Sequence, residues 1–342
     1  MKAMLLDKVC DLRVEKAPLR MVDLPEPVPG PGEALIRVRA CGVCHTELDE
    51  IEGRTLPARF PVILGHQVVG NVVQVNGDES DLTPGTRVGV AWINSACGQC
   101  GFCRFGKENL CPEFRGTGRD VNGGYAEYLT VPVEFALAIP DQFSDVEAAP
   151  LLCAGAIGFR SFRLSGIRNG DRLGLTGFGA SAHLVMQLVK YRFPDTRVYV
   201  FARSERQREF AISLGATWTG SIDATAPVPL HAIIDTTPAW QPVMEALRNL
   251  APGGRLVINA IRKEEFDKHT LLSMDYPAHL WMEKEIKSVA NVTRSDVTEF
   301  LQLAAESGLK PAIEEFPLAD ANAALMGQSL GDGRGARVLR MD

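Results

Sequence analysis

Four cysteines fall in one short stretch, Cys97, Cys100, Cys103 and Cys111. Two residues between successive thiols let a tight loop turn the sulfurs toward one centre, and the return after seven residues completes a tetrahedron. Four thiolates with no open position describe a closed, structural zinc site. Gly98, Gly101 and Gly106 suit a chain that bends sharply around an ion. Two disulfides in an oxidising space, or a redox loop, are the competing readings of the same thiols.

A second set is dispersed: Cys44 in A-C-G-V-C-H-T-E-L, His66 in P-V-I-L-G-H-Q-V-V-G and Cys153 in A-P-L-L-C-A-G. Two thiolates and one imidazole would leave the fourth position of a zinc ion open for water or a substrate oxygen. Each residue also has a plainer reading. Cys153 could be a small buried apolar residue, His66 a core histidine, and Cys41 with Cys44 a C-x-x-C redox pair.

A third pattern begins near Arg172. R-L-G-L-T reads as a strand, H-L-V-M-Q-L-V-K as a helix, T-R-V-Y-V-F as a strand, and Ser204 to Gly215 as a helix with Ser204 its N-cap and Gly215 its C-cap. H-A-I-I-D, P-V-M-E-A-L-R-N-L and G-R-L-V-I-N-A continue as strand, helix and strand. Such alternation implies a doubly wound parallel sheet. Within it Gly177-Phe178-Gly179-Ala180-Ser181-Ala182 fits the G-x-G-x-x-G/A dinucleotide pattern. Gly177 permits the turn, Gly179 lets the backbone approach a pyrophosphate, and helix N–H groups face the phosphates.

The end of the second strand bears on cofactor choice. An NAD site usually presents an acid there to the ribose 2′-OH. This chain has Ala202, Arg203 and Ser204, which leave room for a 2′-phosphate and offer a cation to pair with it. NADP(H) is therefore favoured over NAD(H), although Arg203 would also suit stacking over adenine.

These segments must be positioned by a chain of 342 residues, long enough for two domains. Apolar residues make up 46% and charged residues 23%, as in an ordinary globular protein. The formal charge of −6 argues against a nucleic-acid partner. No apolar run is long enough for a membrane span, and Asp7 interrupts the start where a signal peptide would be apolar. A cytoplasmic location with no membrane partner is expected.

Taken together, C-G-V-C-H-T-E, G-H-Q-V-V-G, the four-cysteine lobe, N-G-G-Y-A-E-Y at Asn122 to Tyr128 and G-F-G-A-S-A resemble the zinc-dependent medium-chain alcohol dehydrogenases along essentially the whole chain. The resemblance implies a Rossmann-type dinucleotide domain at 151–287 inserted in a mainly β, GroES-like catalytic domain formed by 1–150 and 288–342, with a structural zinc lobe at 95–113. It implies two zinc ions per chain: a catalytic ion on Cys44, His66 and Cys153, and a structural ion on Cys97, Cys100, Cys103 and Cys111. Thr46 takes the place of the hydroxyl that starts a proton relay. His45 and Arg337 take the places of basic residues at the cofactor pyrophosphate, and Trp92 that of an aromatic wall of the substrate pocket. Trp92 as plain core and Arg337 as a solvated strand residue are the alternatives.

Three positions depart from the family pattern. Glu47 stands where Asp is usual, with the expected task of accepting a hydrogen bond from His66 and fixing its tautomer. Gln67 replaces the acid that usually follows the zinc histidine. Asp49 stands near where some members carry the last histidine of the relay. The implied reaction is hydride exchange between alcohols, primary ones in particular, and NAD(P), with a small-molecule alcohol or aldehyde as partner and a homodimer or homotetramer as the assembly. Two other functions fit the same motifs: a zinc-free quinone or enoyl reductase of the superfamily, and a non-catalytic zinc- and nucleotide-binding redox sensor.

Overall fold

A computed structural model describes residues 1–77, 81–330 and 335–341. The chain divides into two compact units, Met1–Ala156 together with Asn291–Asp342, and Ile157–Ala290. The first is mainly β and the second alternates strand and helix, in agreement with the expected fold class.

The first unit is organised by the strand Glu33–Val43. Its residues alternate in the period-2 manner of a strand, with Ile36, Val38 and Ala40 buried and Arg37 and Arg39 exposed. It pairs antiparallel with Val68–Asn76 on one side and Ala336–Arg340 on the other, and Arg87–Val90 and Ile313–Pro317 extend the sheet. The Pro-rich stretch from Leu24 to Gly32 is the connection into this strand.

The pairing register assembles a site. Cys41 lies opposite Val68. In an antiparallel pair, three residues beyond Cys41 and two residues before Val68 arrive at the same end of the sheet. These are Cys44 and His66. Cys44 caps the helix His45–Ile51, which Glu47 starts by accepting the Cys44 backbone N–H at 2.7 Å. Cys153 ends the short Ala149–Leu152 turn, whose buried Pro150, Leu151 and Leu152 pack it against Glu33–Val43.

In the second unit six parallel strands run in the order Trp218–Gly220, Arg197–Phe201, Arg172–Thr176, Leu230–Asp235, Leu250–Ile258 and Glu285–Ser288. Counted along this unit the order is 3-2-1-4-5-6, with the switch point between Arg172–Thr176 and Leu230–Asp235. Helices Ala180–Arg192, Glu205–Ser213 and Gln241–Asn249 connect them. Tyr199, Phe201, Ile233, Leu247 and Leu256 belong to one buried cluster.

Boundaries differ from the sequence reading in a helix and a strand: the helix after Ser204 runs from Glu205 to Ser213 with Leu214, not Gly215, as its C-cap, and Gly215 follows it in the left-handed region at φ +92. The segment read as 254–260 is a strand from Leu250 to Ile258, because Leu250 already pairs with Leu230 ahead of an irregularity in register. Among the described residues no helix is long and apolar enough to cross a membrane.

Candidate metal centre and nucleotide loop

Cys44, His66 and Cys153 form one group whose donor atoms all lie within 4.8 Å of one another. His66 Nε2 is 3.3 Å from Cys153 Sγ. Donors bound to one tetrahedral zinc at ordinary bond lengths stand about 3.6 Å apart for a nitrogen–sulfur pair, so the set fits that ion with a position to spare. Cys153 and His66 beside Cys44 hold its thiol well below the usual range, the state a ligand needs. On the far side of the imidazole, Glu47 Oε1 is 2.6 Å from His66 Nδ1. The longer arm of Glu47 thus spans both the Cys44 backbone and the His66 ring. A carboxylate so close to Nδ1 favours a proton there, which leaves the lone pair of Nε2 for a metal.

Cys97, Cys100, Cys103 and Cys111 form the second group within the same limit. Cys100 and Cys103 are 3.5 Å apart, Cys97 and Cys111 3.5 Å, and Cys97 and Cys103 3.9 Å. Four sulfurs around zinc stand about 3.8 Å apart. All eight cysteines are free thiols, so the disulfide reading does not describe this lobe. Gly98 takes φ +70, the left-handed turn the first C-x-x-C step needs. Backbone N–H groups of Gln99 and Cys100 bring the Cys97 thiol down to about 7, while burial pushes Cys103 up to about 12.

The nucleotide loop follows Arg172–Thr176. Gly177 has φ +78, and a Cβ there would come within 2.8 Å of Thr236 Oγ1. At Gly179 a Cβ would meet nothing within 4 Å, so the backbone is open to a ligand. The Ala180–Arg192 helix begins immediately after it, leaving the first-turn N–H groups of Ala180 and Ser181 facing outward from the helix end. Ala182 is fully buried where helix meets sheet. Phe178 is also buried, edge-on to Phe210 at 5.7 Å, so its contribution to the loop is backbone alone. After Arg197–Phe201, Ala202 is buried and Arg203 is exposed with a guanidinium that pairs with no other described residue. Ser204 Oγ accepts the Gln207 N–H as the expected N-cap.

The profile of the alcohol dehydrogenase GroES-like domain matches residues 30–141. A Mycobacterium tuberculosis protein described as probable alcohol dehydrogenase AdhA is 41% identical over 333 residues, 95% of this chain and 94% of that protein. The chain belongs to the zinc-dependent medium-chain alcohol dehydrogenase family. An alcohol dehydrogenase of Geobacillus stearothermophilus is 31% identical across 96% of this chain and 97% of its own. Among solved structures, a cinnamyl alcohol dehydrogenase of Sorghum bicolor superposes with a TM-score of 0.83 at 26% identity, covering 99% of this chain and 97% of that one. As a member of the family, the protein is an oxidoreductase acting on small-molecule alcohols.

The remaining positions suggested by the family likeness fall as follows. Trp92 is half-buried, its ring 6.2 Å from that of His66 and 5.5 Å from Phe114, with the Arg119 guanidinium 5.2 Å above it. Thr46 Oγ1 is 3.6 Å from Cys44 Sγ. His45 is half-buried in the helix first turn. Asp49 is buried and held by Arg54 Nε at 2.6 Å. Arg337 is buried rather than solvated: it lies opposite Glu314 across two parallel strands, Nε 3.1 Å from Glu314 Oε2, and Gly327 leaves the space its guanidinium fills. Cys41 is fully buried, its thiol raised well above the ordinary range by burial and directed at the Gly42 carbonyl, so it is a packed thiol rather than half of a reactive pair. Gln67 packs its amide over Gly42.

Two buried groups here escape a reading of the sequence. Glu50 and Tyr125 are fully enclosed, and their carboxylate and hydroxyl oxygens have no hydrogen-bond partner among the described residues. The signal for Glu50 is its place one turn after Glu47 on the same helix.

Proposed function

We propose that the protein is a zinc-dependent alcohol dehydrogenase that interconverts primary alcohols and aldehydes, with NADP(H) preferred as hydride carrier. One zinc would sit on Cys44, His66 and Cys153 and a structural zinc on Cys97, Cys100, Cys103 and Cys111. The observation that carries this reading is the three-donor group with Glu47 behind His66: it provides ligands, fixes the imidazole tautomer and leaves a coordination position for substrate. Bound there, zinc supplies a Lewis acid that lowers the pKa of an alcohol oxygen.

The chain's own residues do the rest. Thr46, beside Cys44, accepts the alcohol's hydroxyl proton while handing its own hydroxyl proton onward, and the substrate carbon gives its hydride to the nicotinamide. With Asp49 committed to Arg54, we assign the onward path of that proton to solvent water. Trp92 walls the substrate side next to His66. The N–H groups of Ala180 and Ser181 receive the pyrophosphate, and the family likeness assigns His45 to the same group. Ala202 leaves room for a 2′-phosphate and Arg203 pairs with it. The sorghum relative is named for cinnamyl alcohol, whose hydroxyl is primary, and that supports the substrate class.

The test is absorbance at 340 nm as the zinc-loaded enzyme consumes NADPH, then NADH, against cinnamaldehyde and straight-chain aldehydes. Faster consumption of NADPH is expected. Faster consumption of NADH would overturn the cofactor preference. No turnover with either would overturn the dehydrogenase reading in favour of an enone reductase or a silent binder.

A further inference from the structure

Glu50 presents a physical problem that the reaction as derived does not use. It is 0% exposed, and neither of its carboxylate oxygens has a hydrogen-bond partner among the described residues. A buried acid in that condition is strongly disfavoured unless it is neutral or has a cation to face. It lies three residues after Glu47 on the His45–Ile51 helix, and residues at that spacing share a face. From that face Glu47 reaches His66.

The charges acting on Glu50 are those of Glu47, His66, Cys44 and Arg119, and its own charge acts in turn on Cys153 and Tyr125. It therefore stands in the field of all three donors of the metal group. Arg119 offers it little, because its guanidinium is held by Asp120 at 2.6 Å. Gln67, directly after His66, is neutral, and its amide packs over Gly42. Burial first, then Glu47, drives the Glu50 carboxyl well above the ordinary carboxylate range. The one strong positive charge this neighbourhood is built to receive is a dication on Cys44, His66 and Cys153.

We propose that Glu50 is the charge-balancing carboxylate of the metal centre, standing ionised behind the three ligands when the ion is bound, replacing the negative charge absent at Gln67 and slowing the ion's departure. It is a positioning residue and touches neither substrate nor cofactor. The inference rests on the assignment of zinc to Cys44, His66 and Cys153. It concerns retention of the metal, so it is separable from turnover.

The experiment follows zinc transfer from the zinc-loaded protein to a coloured chelator, in wild type, Glu50→Gln and the double variant Glu50→Gln with Gln67→Glu. The wild type should release two kinetic classes of zinc. Glu50→Gln should accelerate one class on the order of tenfold, as loss of an outer-shell partner does. The lobe zinc should keep its rate and so report an intact fold, and the double variant should recover most of the retention. Unchanged release in Glu50→Gln would overturn the proposal, as would equal acceleration of both classes, which marks general loosening. A wild-type chain that holds a single zinc would end the metal-centre reading and this one with it.

Discussion

Glu47 and His66 are both completely buried, with Glu47 Oε1 2.6 Å from His66 Nδ1. The same carboxylate receives the Cys44 N–H through its other oxygen at 2.7 Å. One side chain therefore sets the position of two of the three donors. Glu47→Gln keeps the size but removes the charge that makes His66 a basic, correctly protonated ligand. Zinc affinity of the three-donor site should fall about 10- to 100-fold, measured by competition with a chelator, while the lobe site is unaffected. Equal affinity would show that the pair does not tune the metal.

Arg203 is exposed, with no other described residue paired to its guanidinium, one residue after the buried Ala202. A charge-assisted bond to a 2′-phosphate contributes roughly 1.5–3 kcal/mol. Arg203→Ala should therefore raise the KM for NADPH by about tenfold or more while leaving the KM for NADH within about twofold. A parallel rise for both cofactors would indicate that Arg203 lies over the adenine instead.

His183 lies one helical turn after Gly179, fully buried, with Nδ1 3.1 Å from the Gly179 carbonyl oxygen. Burial drives its imidazolium down to about 4 from an ordinary 6.5. Above about pH 6.5 the ring is neutral in both folded and unfolded chains and imposes no penalty. As pH falls toward 4 the unfolded chain takes up a proton that the folded chain refuses, and stability drops by about 3 kcal/mol. Urea unfolding of wild type and His183→Gln at pH 7.5 and pH 4 tests this. The wild type should lose about 3 kcal/mol more than the variant over that interval, and equal losses would contradict the assignment.

The lobe cysteines are legible in the sequence because C-x-x-C steps are local: chain geometry alone brings Cys97, Cys100 and Cys103 together. The distant set needs the family likeness to be read as one, and the register of Cys41 against Val68 is the physical reason Cys44 meets His66. The inner strands of the parallel sheet are legible from their apolar runs. Its edge strands, Trp218–Gly220 and Glu285–Ser288, are not: the first is three residues long, too short to show a period, and the second is exposed throughout, with no buried face to write one. Glu50 and Asp49 illustrate the harder limit. In the sequence Asp49 stands out only by its place near the last relay histidine of some family members, and Glu50 is not singled out at all. Only tertiary packing buries them, giving Asp49 to Arg54 and leaving Glu50 without a hydrogen-bond partner among the described residues.

In the proposed reaction, Cys44, His66 and Cys153 hold a zinc ion on which alcohol oxidation depends. Zinc content and NADPH-linked aldehyde turnover, measured together in wild type and Cys44→Ser, test it most directly. The wild type should hold near two zinc ions per chain. The variant should hold near one, lose turnover by at least about 100-fold, and bind NADPH as before through the loop at Gly177 and Gly179. A Cys44→Ser chain that keeps wild-type turnover would contradict the account.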